Sequence, residues 1–233
     1  MFTSETNPEK KFGSIYQKKR YDTEHTKDKE KIYCMRHGQT ALDDLHRSDG
    51  WLDLPLNDEG RQNIVIALSK FLKRIPITRI YAAPLRRTKE TAEILKSGLT
   101  SDPKIEVESD IKTWNLGSLA GDKKSPNKKI VKDLIDHPSK KAPDGESYDE
   151  FMNRFDSFVK KLEGESKKEG PFLMILSGSN CRRLSEMLFR DRAELDIDEA
   201  GVFVLFPEDG KWTAKVIDKK RTAEEQLENP EAS

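Results

Sequence analysis

The chain of 233 residues lacks most features that assign a sequence at once to a specialised class. Its two cysteines are too few for a disulfide framework, and they favour a reducing, cytoplasmic compartment. No stretch approaches the roughly 18 consecutive apolar residues of a membrane span, so we expect no membrane partner. Basic and acidic residues number 42 each, and this zero net charge does not favour a nucleic-acid partner.

Apolar residues are also scarce, at 34% against 36% charged residues, which predicts a modest core with solvated segments. Residues 1–30 are predicted to form a mobile charged N-terminal extension, either a solvated tail or a partner-binding arm, with one short helix around residues 12–16. They have no apolar region of the kind that marks a secretory signal. Residues 219–233 are predicted to form a charged C-terminal tail, which leaves 31–218 as the folded domain.

Within that domain, short apolar runs alternate with segments of helical spacing. This alternation predicts an α/β fold, a three-layer α/β/α sandwich whose central sheet is mostly parallel. Ligands of such sheets bind at the carboxyl ends of the strands. The predicted strands are 32–35, 77–83 and 172–176, a short strand at 105–107, and a terminal hairpin of 202–206 with 212–217.

Three groups of polar residues follow predicted strands or turns. The first strand runs directly into Arg36-His37-Gly38, and the second is followed by the basic pair Arg86-Arg87. Gly145-Glu146-Ser147 forms a later turn. Together, and in this order from about residue 32 to about residue 217, these motifs resemble the histidine phosphatase (phosphoglycerate-mutase-like) superfamily.

The resemblance implies a nucleophile and two phosphate ligands. His37 would attack a phosphoryl group and become a phosphohistidine, while Arg36 and Arg87 would bind the phosphoryl oxygens. Phosphoryl transfer spreads negative charge over three oxygens, so catalysis depends mainly on positioning and charge stabilisation. Guanidinium groups match phosphate oxygens in a bidentate way. The scheme requires no metal and no other cofactor.

Three further residues have an open role at this stage. Thr40 either caps the next turn or contacts the phosphate. Asp43 stands where the family commonly has an asparagine, and is either an ordinary loop acid or a relocated proton donor. Ser179 precedes a predicted helix whose free N–H groups would attract a phosphate, although Ser179 or Asn180 could equally serve only as its cap.

The sequence departs from the family pattern at two positions. The family usually has a second histidine after a later strand, and Gly178 stands in its place within Ser177-Gly178-Ser179-Asn180. Many phosphatase members also have a glutamate that donates a proton, and Thr113 occupies that position. A threonine is not a general acid at pH 7, so another acid has to protonate the leaving oxygen.

Two explanations fit Gly178. It is either an engineered loss of a catalytic histidine or the mark of a natural protein that binds without turnover, and the intact Arg36, His37 and Arg87 favour the first. We therefore expect a phosphatase acting on a phosphomonoester, impaired by Gly178, with a catalytically inactive phospho-ligand-binding protein as the alternative. The substrate would be a phosphorylated small molecule or a phosphoprotein, and the oligomeric state stays open.

Overall fold

A computed structural model of the chain describes residues 30–219. The predictions for the N-terminal extension and for nearly all of the C-terminal tail lie outside these residues. Six strands form one sheet in the order β3-β2-β4-β1-β5-β6. Their bounds are β1 Ile32–Arg36, β2 Arg79–Ala82, β3 Lys104–Val107, β4 Phe172–Leu176, β5 Val202–Glu208 and β6 Lys211–Asp218.

The sheet is mixed, with a parallel part and an antiparallel edge. Strands β1, β2, β3 and β4 pair in parallel, whereas β5 runs antiparallel to both β1 and β6. The predicted mostly parallel sheet and the terminal hairpin are thus confirmed. Strand β4 is buried along its whole length because it lies between β2 and β1, and this explains why Phe172–Leu176 is the most continuous apolar run.

Helices cover both faces of the sheet, which confirms the three-layer sandwich. One core contains Cys34 and Met174 of the sheet with α5 and α6, and the other contains Met35 and Ile175 with α2 and α3. Alternate side chains of each strand enter opposite cores. The helices are α1 Ala41–Asp44, α2 Asp58–Ala67, α3 Arg86–Gly98, α4 Lys124–Asp136, α5 Tyr148–Glu169 and α6 Gly178–Phe189.

Two local features lie between β1 and β2. Thr40 and Asp43 form a capping box that starts the short helix α1. The helix capped by Asn57 has an α-helical part that ends at Ala67, and it continues as a π-helical turn, Leu68–Leu72. Within residues 30–219, no helix is long and apolar enough to cross a membrane.

The topology brings the predicted site residues to one edge of the sheet. Strands β1 and β4 are parallel neighbours, and the backbone N–H of His37 donates to the carbonyl of Leu176 at 2.9 Å. Strand β2 flanks β4 on its other side and leads into α3, which carries Arg87. The carboxyl ends of three parallel strands therefore meet around His37.

Candidate active site

His37 lies at the end of β1, buried and held in one tautomer. Its Nδ1 is 2.9 Å from the carbonyl oxygen of Gly38, and its Nε2 is 3.2 Å from the Nε of Arg87. A carbonyl only accepts, so Nδ1 carries the hydrogen, and the Arg87 N–H then donates to the lone pair of Nε2. The unprotonated Nε2, the nitrogen a nucleophile needs, therefore faces Arg87.

The packing of Gly38 holds its backbone in place, and with it the carbonyl oxygen that contacts the His37 ring. A Cβ at this position would lie 2.7 Å from the carbonyl oxygen of Gly60 in α2, so only glycine allows the approach. The N–H of Gly38 also donates to Oγ1 of Thr91 in α3 at 3.3 Å. The backbone carbonyl that orients the His37 ring is thus held between two helices.

The charge state of His37 follows from its surroundings. Burial, and next the charge of the Arg87 guanidinium, lower its pKa from the ordinary value to about 3. The imidazole is therefore neutral at pH 7, as a nitrogen nucleophile requires.

Arg87 is fully buried, and each of its three side-chain nitrogens donates a hydrogen bond. Besides Nε, its Nη1 donates to the carbonyl of Leu52 at 2.9 Å and its Nη2 to the carbonyl of Gly50 at 2.8 Å. The loop after Asp49 thus folds over the guanidinium. A bound phosphate has to replace some of these carbonyl contacts.

Arg36 reaches the other side of the site. Its guanidinium forms an ion pair with Glu199, lies 3.6 Å from Asp43, and donates to the carbonyl of Ile197 at 2.9 Å. Its Nε is buried and finds no acceptor among residues 30–219. A buried donor without a partner is costly, so Arg36 has one N–H free for an anion.

Thr40 and Asp43 are linked by the capping box of α1. Oγ1 of Thr40 accepts from the backbone N–H of Asp43 at 3.2 Å and lies 3.2 Å from the Asp43 carboxylate. Burial raises the pKa of Asp43, but its electrostatic interaction with His37, and next the charges of Arg36 and Lys124, outweigh burial and lower the pKa to about 2. An acid that is ionised at all working pH values is a poor proton donor, so this geometry does not favour Asp43 in that role.

Sequence analysis missed Asp49, which lies between Thr40 and the nucleophile. Its Oδ1 is 3.0 Å from Oγ1 of Thr40, and its Oδ2 is 3.9 Å from Nε2 of His37 and 3.5 Å from Nε of Arg87. Burial, and next the charge of Asp43, raise its pKa to about 6. Its position in a loop, nine residues before α2, gave no spacing signal that it enters the site.

Gly178 and Thr113, the two positions at which the sequence is expected to depart from the family pattern, lie close to each other. Gly178 begins α6, and the adjacent Ser179 has its Oγ 2.6 Å from Oγ1 of Thr113. Ser179 also accepts from the backbone N–H of Trp114, so its hydroxyl bridges to the loop around Thr113. The cap of α6 is a box of Ser177 and Asn180 rather than Ser179.

Gly178 leaves room for a side chain. A Cβ built there would lie 3.4 Å from Nη2 of Arg182 and 3.6 Å from Cζ of Arg36, which are ordinary contact distances to flexible side chains. The backbone of Gly178 is not in the left-handed region that favours glycine. A Cβ therefore fits this position, and a side chain there would begin beside Arg36.

The third motif holds the loop that carries Thr113. Arg154 in α5 pairs with Glu146 and donates to the carbonyls of Lys112 and Thr113 at 2.7 and 2.9 Å. Trp51 donates from its indole N–H to the same carbonyl of Thr113 at 2.8 Å, so this aromatic pins its loop to the site rim. The motif thus acts as a scaffold.

His37, Asp43 and Asp49 also form the kind of group that could hold a metal ion, with ligand atoms within 4.8 Å of one another. Cations of the protein already neutralise these carboxylates, since Arg87 contacts Asp49, and Arg36 contacts Asp43. The Nε2 lone pair of His37 also accepts from Arg87. The charge arrangement fits an anion better than a cation.

Comparison with known proteins identifies the family. The model of the histidine phosphatase superfamily (branch 1) matches residues 32–220. "Phosphoglycerate mutase-like protein 4" of Arabidopsis thaliana is 28% identical over 208 residues, covering 84% of this chain and 88% of the relative. "Probable phosphoglycerate mutase GpmB" of Escherichia coli is 26% identical over 151 residues, covering 61% of this chain and 67% of the relative.

Solved structures show the same fold. A phosphoglycerate mutase from Bacillus anthracis str. Sterne superposes with a TM-score of 0.66 at 24% identity, covering 80% of this chain and 92% of that one. A mycobacterial glucosyl-3-phosphoglycerate phosphatase, solved with VO3, has a TM-score of 0.64 at 22% identity, covering 82% of this chain and 99% of that one.

Proposed function

We propose, since this chain belongs to the histidine phosphatase superfamily, that it is a phosphohydrolase acting on a phosphomonoester through a phosphohistidine at His37. The observation that carries the proposal is the neutral His37 ring, whose Nδ1–H is fixed on Gly38 and whose bare Nε2 meets the Arg87 guanidinium. A nucleophile and a phosphate ligand thus share one buried niche.

The reaction would proceed in two steps. Nε2 of His37 attacks the phosphorus, and the bond to the leaving oxygen breaks as the N–P bond forms. Arg87 moves its donors from His37 and from the loop carbonyls onto the phosphoryl oxygens, and the free Nε of Arg36 donates to another. Water then attacks the phosphohistidine and releases phosphate. Both arginines stabilise charge that develops at these oxygens.

Gly178 is expected to lower the rate. At this position the family usually places a cationic or donating imidazole, and glycine supplies no side-chain hydrogen bond. Loss of one preorganised donor raises the barrier by about 3–4 kcal/mol, which is about 10²–10³ in rate. The helix N-terminus at Gly178 still attracts an anion. Binding would therefore persist while turnover falls.

A second candidate is a phospho-ligand-binding protein without catalysis. It is favoured by the joint loss of the histidine at Gly178 and of the acid at Thr113, together with the ion pair that draws Arg36 toward Glu199. Such a protein would keep the anion site and lose the chemistry.

The substrate class is also a proposal. The named relatives are mutases or phosphatases of phosphoglycerate and glucosyl-3-phosphoglycerate, which are small phosphorylated molecules. We expect a phosphorylated small molecule, with a phosphoprotein as the wider possibility. A reducing, cytoplasmic compartment is likewise part of the proposal, and the free, buried Cys34 and Cys181 support it.

The test is a phosphatase assay with a panel of phosphomonoesters on three chains. The chain as it stands should show slow turnover, and Gly178→His should raise kcat by about 10²–10³. Gly178→Ala is the matched control, because it adds the Cβ without an imidazole and should leave kcat unchanged.

The outcomes separate the two candidates. Turnover that rises only with histidine supports the phosphohydrolase. If neither the chain nor Gly178→His hydrolyses any ester while vanadate still binds to both, the binding protein is the correct assignment and the phosphohydrolase is excluded.

A further inference from the structure

The hydroxyl of Thr40 lies between two carboxyl groups, and its contacts bear on which of them carries a proton. Its hydroxyl oxygen accepts from the backbone N–H of Asp43 and contacts two carboxylates, Asp43 at 3.2 Å and Asp49 at 3.0 Å. A hydroxyl has one hydrogen and can donate to only one of them. For both contacts to be hydrogen bonds, one of the two carboxyl groups has to carry a proton and donate it to Thr40.

The neighbours decide which carboxyl is protonated. Asp43 also accepts from the backbone N–H of Thr40 at 3.3 Å, and its other oxygen faces Arg36 at 3.6 Å and Lys124 at 3.5 Å. These contacts stabilise a carboxylate. Asp49 has Arg87 at 3.5 Å, is influenced more weakly by Lys124, and lies beside the negative Asp43, whose charge opposes its ionisation. When Asp49 is protonated, its carboxyl therefore donates to Thr40, and Thr40 donates in turn to the Asp43 carboxylate.

The other oxygen of Asp49 points at the reaction centre. It is 3.9 Å from Nε2 of His37, the atom that attacks phosphorus. Phosphorus in a reactive complex lies about 3–3.5 Å from this nitrogen, with the leaving oxygen beyond it. A carboxyl oxygen at 3.9 Å from Nε2 is therefore close to the oxygens of that phosphoryl group, and it reaches the leaving oxygen when the ester enters on the Asp49 side of the ring.

From this geometry we propose that Asp49 is the general acid and base of the site, in place of the glutamate that Thr113 has replaced. The inference rests on the proposed phosphohydrolase function and names a residue for its missing step.

Asp49 alone accounts for the proton transfers of both steps. In the first step, its O–H gives the proton to the leaving oxygen, so that the P–O bond breaks to an alcohol and leaves an Asp49 carboxylate. In the second step, that carboxylate removes a proton from the water that attacks the phosphohistidine. Phosphate leaves, and both His37 and the Asp49 carboxyl return to their starting states.

The charges around Asp49 set the pH range of this role. His37 is neutral, Asp43 is negative, and Arg87 and Lys124 are positive. Burial raises the pKa of Asp49 to about 6, so the acid form is present below that pH and declines above it. Hydrolysis that needs the acid should therefore fall by about tenfold per pH unit above pH 6.

The test compares first-turnover alcohol release from two esters, because the first turnover isolates P–O cleavage from hydrolysis of the phosphohistidine. Glycerol phosphate has an alkoxide leaving group that needs a proton, whereas p-nitrophenyl phosphate has a phenolate that does not. Asp49→Asn should slow cleavage of glycerol phosphate by about 10²–10⁴ and that of p-nitrophenyl phosphate by less than about tenfold. The variant should also lose the decline above pH 6.

The matched control is Asp44→Asn, which removes an exposed carboxylate next to Asp43 and should change neither ester. Thermal unfolding checks that each variant is folded. If Asp49→Asn does not fold, Asp49→Ala replaces it in the same assays. The assays are run on the chain as it stands and on Gly178→His.

Each outcome has one meaning. Equal losses on the two esters, or faster cleavage of both, would overturn the acid–base assignment while leaving the phosphohydrolase intact. Absence of any turnover in both chains would instead overturn the proposed function and, with it, this role. Carbon-13 NMR titration tests the protonation of Asp49 directly. An aspartate carboxyl should titrate near pH 6, and its signal should be missing from Asp49→Asn. The absence of such a signal from the unsubstituted chain would refute a protonated Asp49.

Discussion

Replacing Asp49 by asparagine should make the protein more stable at neutral pH. The side chain is 92% buried, since its exposed fraction is 8%, and burial raises its pKa to about 6 from an ordinary value of 3.8. Above pH 6 the folded protein has to hold a buried carboxylate that the unfolded chain ionises in water. Asparagine has nearly the same shape, carries no charge, and offers an amide N–H that can donate to Thr40 as the protonated carboxyl does.

The size of the gain follows from the pKa. A rise of about two pH units corresponds to about 3 kcal/mol of destabilisation once both states are ionised, at pH 7. The sign is that of a raised carboxyl pKa: the folded state binds the proton more tightly, so wild-type stability falls as pH rises from about 4 to about 6. At pH 4 the cost shrinks to about 0.5 kcal/mol.

Urea unfolding at pH 4 and pH 7 measures both values. Asp49→Asn should gain about 3 kcal/mol at pH 7, which is about 6–12 °C in Tm for a chain of this size, and little at pH 4. Asp44→Asn is the control and should gain nothing at either pH. An equal gain at both pH values, or a loss at pH 7, would refute the protonated, buried Asp49.

Three further predictions concern the other site residues. Arg87→Lys should lower kcat/KM by about 10²-fold, measured on the chain and on Gly178→His, because an ammonium cannot replace the fork that reaches His37 and two carbonyls. In the unsubstituted chain, the free energy of unfolding should fall as pH falls from 6.5 to 3, because the unfolded chain binds a proton at His37 that the folded imidazole, with a pKa of about 3, does not bind. His37→Gln should reduce this fall, as measured by urea unfolding. Dialysis against EDTA should leave turnover unchanged, because protein cations already neutralise Asp43 and Asp49.

The fold was predictable because its signals are local. Apolar runs such as Phe172–Leu176 mark strands that are buried on both faces, and the spacing after Asn57 marks an amphipathic helix with its cap. The strand order followed less directly, because β2, β4 and β1 become neighbours only through crossovers. That order nevertheless places Arg36, His37 and Arg87 together.

The residues that sequence analysis missed enter the site through tertiary contacts. Glu199 reaches Arg36 across 163 positions of the chain, and Asp49 reaches His37 because its loop folds over Arg87. No periodicity marks such contacts. Asp43 was proposed as an acid from its position in the motif, but the cations around it, which only the fold reveals, keep it ionised.

The most direct test of the account is to trap the phosphohistidine. Gly178→His and the chain as it stands are mixed with a phosphomonoester, quenched in base and digested, and the peptide that contains residue 37 is analysed by mass spectrometry. We expect phosphate on Nε2 of His37 in both chains and none in His37→Asn. Hydrolysis that proceeds without any phosphate on His37, or phosphate on another residue, would contradict the central claim.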